Sequence, residues 1–302
     1  MWFKNLRFYR FSEEFVLPDD FEAKLSEHLF RPCGRQEQST FGWYSPFGAN
    51  HEVLTHSQGD CHLICARREE KVLPAAVINA ELDEKVLQIQ QTEGRPVNRK
   101  EKQNLKEDLV HQLLPQAFSR FRLSWGYLDL SRQLVVINES AANKAEDLLG
   151  LLRSTLGSLP VKPISGADAT EITMTEWLAK NHLPPAFELG DEAELRSPQQ
   201  DGGILRCKNE DLTRDDIQAH LDTGKQVTRL GLVWQEQIEF ILETDLALKR
   251  VKPTDMLMEQ QDDLVDPSAE EKLAADFALI SAQVGELYND LSRAFSLSRS
   301  AT

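Results

Sequence analysis

Residues 74–122 read PAAVINAELDEKVLQIQQTEGRPVNRKEKQNLKEDLVHQLLPQAFSRFR, a spacing that predicts two helices joined by a tight turn. Ile78, Leu82, Val86 and Ile89 recur at four- and three-residue intervals, so Pro74 to Gln91 forms one apolar stripe, with Pro74 suited to a first helical turn. Gly94 and Pro96 break that helix. Leu105, Leu109 and Leu113 repeat the pattern from about Arg99 to Leu114, and Pro115 ends it. The turn gathers Arg95, Arg99, Lys100 and Lys102. Over residues 95–122, seven basic side chains (these four with Lys106, Arg120 and Arg122) face three acidic ones (Glu101, Glu107 and Asp108), a net of +4 inside a chain of −15. Phe118 and Phe121 close the segment. A basic, aromatic island in an acidic chain fits a polyanion partner held at one place and repelled elsewhere. The plainer alternative is a solvated helix face in which Glu101, Glu107 and Asp108 form i,i+4 pairs with the lysines.

Working outward, Phe3–Phe11 reads as a strand. A helix opens at Pro18–Asp20 with Phe21, Leu25 and Leu29 as its stripe, and Phe41–Tyr44 and His62–Arg67 are further strands. Arg122–Leu130 and Leu134–Asn138 predict a β-hairpin. Ser140 is placed to cap the next helix, whose apolar positions include Ala145, Leu148 and Leu152 and which stops at Gly157. In the second half, a short helix lies around Thr175–Lys180. Thr213 with Asp216 resembles a capping box, and Gly202–Gly203 marks a turn before a strand. Gln226–Trp234 and Gln237–Leu242 form a hairpin that Leu246–Val251 extends. A long last helix carries Leu273, Phe277, Ile280, Val284, Leu287, Leu291 and Phe295. The tail Ser296–Thr302 is expected to be disordered. The fold class is α+β, a mixed α/β chain. Residues 1–73 and 116–160 form a central α+β domain, residues 74–115 a helical hairpin inserted in it, and residues 161–302 a C-terminal α+β domain. Residues 1–160 sum to −2 and residues 161–302 to −13, which places an anion partner on the first half.

Composition excludes several classes. No apolar run approaches the ~18 residues of a membrane span, and the opening MWFKNLRFYRF lacks the apolar core of a signal peptide. The expectation is a cytoplasmic protein whose four cysteines, Cys33, Cys61, Cys65 and Cys207, are reduced. Cys61, His62 and Cys65 are close, but on a strand the cysteines face one side and the histidine the other, so no metal site is expected. Neither phosphate-cradling glycine motif occurs, nor a nucleophile elbow, and no cofactor is implied. Glu243 and Asp245, near Lys249, come nearest to a metal-dependent nuclease site and lack a third ligand.

Several stretches resemble one family, the recombination-associated protein RdgC: MWFKNLRFYR, FRPCG, GWYSP, LTH, ICARREEKVLP, LLPQAFSRF, KAEDLLGLLRSTLGSLPV, LTRDDIQAHLDTGKQVTRL and LAADFALI, in that order over nearly the whole chain. The resemblance implies a nucleoid-associated protein that is not an enzyme. It implies a horseshoe-shaped subunit with a protruding hairpin, paired as a ring-shaped homodimer around double-stranded DNA. Binding would be without sequence preference, single-stranded DNA would be a secondary ligand, and RecA-type recombinase would be restrained. No membrane partner is implied. By the same resemblance Arg95, Arg99, Lys100 and Lys102 are phosphate contacts, and the basic run adds Lys106, Arg120 and Arg122 to the expected DNA-binding set; Phe118 belongs to the ring-closing contact, and Lys208, Asn209 and Glu210 to the other subunit contact. Gln116 stands where relatives can carry a basic residue, and Asn209–Glu210 where a Lys and a Gln can stand. Two other classes stay open: a metal-dependent DNA-processing enzyme, and an acidic protein that acts on the recombinase directly.

Overall fold

The computed structural model describes residues 1–199, 202–259 and 268–297. The first strand, β1 (Asn5–Phe11), is followed by α1 (Phe21–Ser26), β2 (Ser39–Trp43), β3 (Thr55–Gln58) and β4 (Cys61–Val72). The two hairpin helices are α2 (Ala75–Glu93) and α3 (Arg99–Leu113), and a 3₁₀ turn at Leu114–Gln116 leads into β5 (Phe118–Asp129). Then come β6 (Leu134–Ile137), α4 (Ala142–Leu156), β7 (Val161–Pro163), α5 (Thr170–Lys180), β8 (Phe187–Arg196), β9 (Ile204–Lys208) and α6 (Asp215–Asp222). The chain closes with β10 (Gln226–Trp234), β11 (Ile238–Glu243), β12 (Leu248–Pro253), α7 (Asp255–Glu259) and α8 (Ala269–Ala294). The result is a mixed α/β fold with eight helices and a twelve-stranded antiparallel sheet among the described residues.

Strand order is β2-β4-β5-β6-β1-β12-β11-β10-β8-β9, with β3 added to β4 and β7 to β1. Strand alternation divides the core. On β4 and β5, Ile64, Ala66 and Leu128 point to one face, where α4 lays Ala145, Leu148, Leu149 and Leu152 on them. Leu63 and Tyr127 point to the other, against Phe277, Ile280 and Val284 of α8. The same second core continues under β8, β10 and β11, filled by Met174 and Trp177 of α5 and Ile217 of α6. Each fully buried Leu, Ile or Phe is worth about 1.5–3 kcal/mol, so α8, with Phe277, Ile280, Val284, Leu287 and Leu291 all buried, is strongly held.

The hairpin helices have the expected bounds to within two residues. Gly94 ends α2 in the left-handed region at φ 65°, and Asn98 caps α3 by accepting from the Glu101 amide at 2.9 Å. Ile78, Leu82, Leu109 and Leu114 are buried between the helices. Other details differ from the expectation. Strands β4 and β5 are longer than the apolar pattern suggested, because their outer halves are polar and gain their order from pairing with each other. Strands β3, β7 and β8 were not foreseen. Helix α1 ends at Ser26; Leu29 instead bridges Trp43 beside β2. Helix α4 starts at Ala142 with Ala141 at its cap and no side-chain cap; the carbonyl of Ser140 accepts from Arg7 Nη2 at 3.0 Å. Thr213 bonds Asp211 rather than capping α6, whereas a full capping box forms at Ser268 and Glu271. Of the expected tail, Leu297 is folded back, its amide on the Ser292 carbonyl at 3.0 Å, and residues 298–302 lie outside the described residues.

One close approach gives a test. A Cβ on Gly42 would fall 2.6 Å from the Phe30 amide nitrogen and 2.7 Å from the Leu29 carbonyl oxygen, where the backbone is pinned by the Phe30 amide bonding the Trp43 carbonyl at 2.8 Å. Gly42→Ala is expected to destabilise the protein by about 1–3 kcal/mol, the usual cost of overpacking, read as a lower urea midpoint; an unchanged midpoint would refute the constraint.

Candidate nucleic-acid interface

Strands β4 and β5 pair over their whole length, from Cys61 opposite Asp129 to Val72 opposite Phe118. The inner half is core. The outer half projects with Phe118, Phe121 and Leu123 exposed, Phe118 at 87%. Alternation sorts its side chains. One face carries Arg68, Glu70, Arg120 and Arg122, joined by Lys144 and Asp147 of α4. Arg122 pairs with Glu139, which is 3% exposed and also accepts from Ser124 Oγ at 3.0 Å. Arg68 reaches Asp147 at 2.8 Å and Arg120 reaches Glu70 at 3.3 Å. Four cations thus meet three carboxylates, one of them buried beneath its arginine. On the opposite face the Arg67 guanidinium stands over the rings of Phe30, Tyr44 and Phe121, 4.3 Å from the last. Beside it, buried Glu69 accepts from Ser119 Oγ at 2.5 Å and the Cys33 amide at 2.7 Å.

The tip of the α2–α3 hairpin is a separate cation group. Arg95 is committed within it: Nε bonds Glu93 at 2.7 Å and the two terminal nitrogens bond Glu101 at 2.8 and 2.7 Å. Lys102 pairs with Asp83 at 3.0 Å. Arg99 and Lys100 are exposed in the first turn of α3 and, among the described residues, form no ion pair; Lys106, half-buried, forms none either. Cations at a helix N-terminus oppose its dipole. Such a site is left favourable to an anion, which the free amides and both side chains can meet together. The Lys102 and Arg120 pairs are exposed, and pairs of that kind are worth at most about 1 kcal/mol, so a phosphate competes with them easily.

The remaining expected site residues lie on β9 and the turn after it. Lys208 is exposed; Asn209 takes φ 52°, a left-handed turn that asparagine tolerates; Glu210 is held by Arg214 at 3.1 Å. The acidic strand end is neutralised in the fold: Glu243 binds Lys249 at 2.6 Å and Arg229 at 2.8 Å, and Asp245 binds Arg7 at 2.8 Å. Burial pushes the Asp245 carboxyl up, but the Arg7 bond and charge hold it below its ordinary value. Cys61 and Cys65 are buried, with the Cys61 thiol pushed up to about 12 by burial. His62 bonds Ser57 at 2.8 Å. Among the described residues no group of three or more His, Cys, Asp or Glu could hold a metal ion, and no helix is long and apolar enough to cross a membrane. Arg68 and Lys144 were missed by sequence reasoning because register, not sequence proximity, brings them beside Arg120 and Arg122.

The family described as "Putative exonuclease, RdgC" matches residues 1–298. Relatives named recombination-associated protein RdgC are similar along almost the full length. That of Aeromonas hydrophila is 46% identical over 287 residues, covering 95% of each chain. That of Tolumonas auensis is 45% identical over 292 residues, covering 96% of this chain and 97% of the relative. That of Yersinia enterocolitica is 42% identical over 292 residues, covering 96% of each.

The buried carboxylate under the ribbon makes the outer half acid-sensitive. Hydrogen bonds from Ser119 and the Cys33 amide hold the Glu69 carboxyl below its ordinary 4.5. A depressed folded value gives stability that is present above the unfolded value and lost as pH falls through the folded one. The urea midpoint of the wild type should therefore fall more steeply than that of Glu69→Gln between about pH 5 and pH 3; parallel curves would refute the role given to Glu69.

Proposed function

The chain belongs to the RdgC family, and on that premise we propose that two horseshoe-shaped copies pair as a ring that encloses double-stranded DNA without sequence preference, associates with the nucleoid and restrains RecA-type recombination. The observation that carries the reading is the pair Arg99 and Lys100: exposed cations, unpaired among the described residues, at a helix start on the tip of a hairpin, in a chain of net charge −15. Phosphate contacts of this type bind every sequence alike and lose affinity steeply with salt. Lys102, Lys106, Arg120 and Arg122 extend the track. Arg95 shapes the tip, since its guanidinium is filled by Glu93 and Glu101. Phe118, among the most exposed large apolar side chains, is the ring-closing contact, and Lys208, Asn209 and Glu210 serve the second one. Enclosure restrains a recombinase by occupying the same DNA.

Charge reversal of Arg99 and Lys100 together is expected to weaken duplex binding roughly tenfold or more at about 0.1 M salt, equally for unrelated sequences; equal affinity would sink the tip assignment. Phe118→Ala should weaken the dimer on the order of tenfold, the scale of one buried Phe; sedimentation showing an unaltered dimer would count against the contact.

The family description favours a second reading, an exonuclease. It requires release of nucleotides from duplex ends with Mg²⁺, abolished by chelator. The ring reading instead expects intact DNA and binding that persists in chelator.

A further inference from the structure

Strands β8 to β12 have one face buried on α5, α6 and α8 and one face open. On β11, buried Ile238, Phe240 and Leu242 alternate with more exposed Glu239, Ile241 and Glu243. A trough of about 640 Å³ lies along part of this open face. Residues 161–302 sum to −13, yet the trough holds Arg206, Lys208, Arg229, Lys249 and Arg250 against Glu192, Glu194 and Glu243. Register aligns a row across four strands: Arg206 opposite Glu194, Glu194 opposite Arg229, and Arg229 opposite Glu243.

The charges are layered. The carboxylates lie beneath, with the Glu194 side chain 5% exposed and that of Glu243 12%, while Arg206 is 63% and Arg229 48% exposed. Glu194 holds two arginines, Arg196 and Arg206, each through Nε at 2.7 Å. Among the described residues the terminal NH₂ groups of both guanidiniums make no hydrogen bond. Arg229 Nη2 forms an ion pair with Glu243 Oε1 at 2.8 Å, and Arg250 pairs with Glu192 through one terminal nitrogen. Burial pushes the Glu194 carboxyl up, but hydrogen bonds from Arg206 and Arg196 outweigh it and hold the group at about 2, so the anchor stays ionised at neutral pH. One arginine is enough to balance the charge of one carboxylate. Here the second arginine and the outward forks are surplus to the sheet and shaped for bidentate contact with an oxyanion.

We propose that this row is a second phosphodiester-backbone site, in which Arg206 and Arg229, with Arg196 beside the row on Glu194, present outward NH₂ groups to duplex phosphates while Glu194 and Glu243 act as positioning residues. The trough lining contains no aromatic side chain, which disfavours single strands held by base stacking and suits a stacked duplex read through its backbone. This inference rests on the nucleic-acid reading above.

The test is the salt dependence of duplex binding by the full-length protein. Each phosphate contact contributes about 0.9 to the slope of log affinity against log salt, so Arg206→Gln with Arg229→Gln should lower the slope by about 2. Glu194→Gln raises the net charge by one, so bulk electrostatics predicts tighter binding; loss of the anchor instead predicts a shallower slope and no gain in affinity. Phenylglyoxal labelling of the unmutated protein gives a readout that needs no variant: duplex should protect Arg206 and Arg229. Unprotected arginines, or an unchanged slope in a double variant whose circular dichroism matches wild type, would overturn this site alone, provided reversal of Arg99 and Lys100 still lowers the slope. Absence of salt-dependent duplex binding by the wild type would overturn the nucleic-acid reading as well.

Discussion

Strand β1 is the element on which both halves of the molecule depend. Its first residues pair with β12, Asn5 opposite Lys249 and Leu6 opposite Leu248, and its later residues pair with β6 and β7. The join is short, so it is reinforced around its edge. The Asn138 side-chain oxygen accepts from the Lys4 and Asn5 amides, both at 3.1 Å, the Val251 amide bonds the Lys4 carbonyl at 2.9 Å, and Trp2 Nε1 bonds the Val251 carbonyl at 3.2 Å. Helix α8 then spans the join from one face. Phe277 meets Tyr127 of β5 with ring centroids 5.6 Å apart, and Arg132, fixed by Asp129 at 3.0 Å, reaches Glu286 at 3.2 Å. The tight approach of the Arg132 guanidinium to α8 is possible because residue 285 is glycine: a Cβ there would fall 2.6 Å from Arg132 Cζ.

A single electrostatic device recurs on this frame. Glu139 under Arg122, Glu194 under Arg196 and Arg206, and Asp129 under Arg132 are all carboxylates at 1–5% exposure that hold an arginine standing nearer the solvent. A buried carboxylate without its partner costs several kcal/mol, so the arginine cannot wander, and its side-chain entropy is spent during folding rather than on binding. The arrangement also explains how a chain of net charge −15 presents cationic faces: part of its negative charge is placed below the surface.

The elements legible in the sequence were those with one dominant period. Helix α8 and the two hairpin helices show unbroken apolar stripes, and Gly94 and Gly157 mark the ends of α2 and α4 as read. The outer halves of β4 and β5 were not legible, because REEKV and FSRF carry no alternation of apolar and polar residues; their partner is each other, a non-local fact. Strand β8, FELGDEAELR, hides behind its acids for the same reason, and two register shifts against β10 disrupt its period. Site legibility followed the same line. Arg99 and Lys100 adjoin in sequence and were found from charge density. Arg68 and Lys144, or Arg206 and Arg229, are dispersed along the chain and meet only through strand register and helix docking.

The full pairing of β4 with β5 also bears on how the chain reaches this structure. Val72 and Phe118 close a loop of more than forty residues, a contact whose entropic cost slows folding when the intervening chain is loose. Here the intervening chain is two helices sealed by Ile78, Leu82, Leu109 and Leu114, elements that form on the microsecond scale or faster. Once they dock, the ends of the ribbon are brought together as by a short turn, and pairing can proceed inward from Val72 and Phe118 toward the core. The hairpin that carries the exposed tip cations is thus also the turn of an oversized β-hairpin, and its helices are placed to nucleate the sheet they extend from.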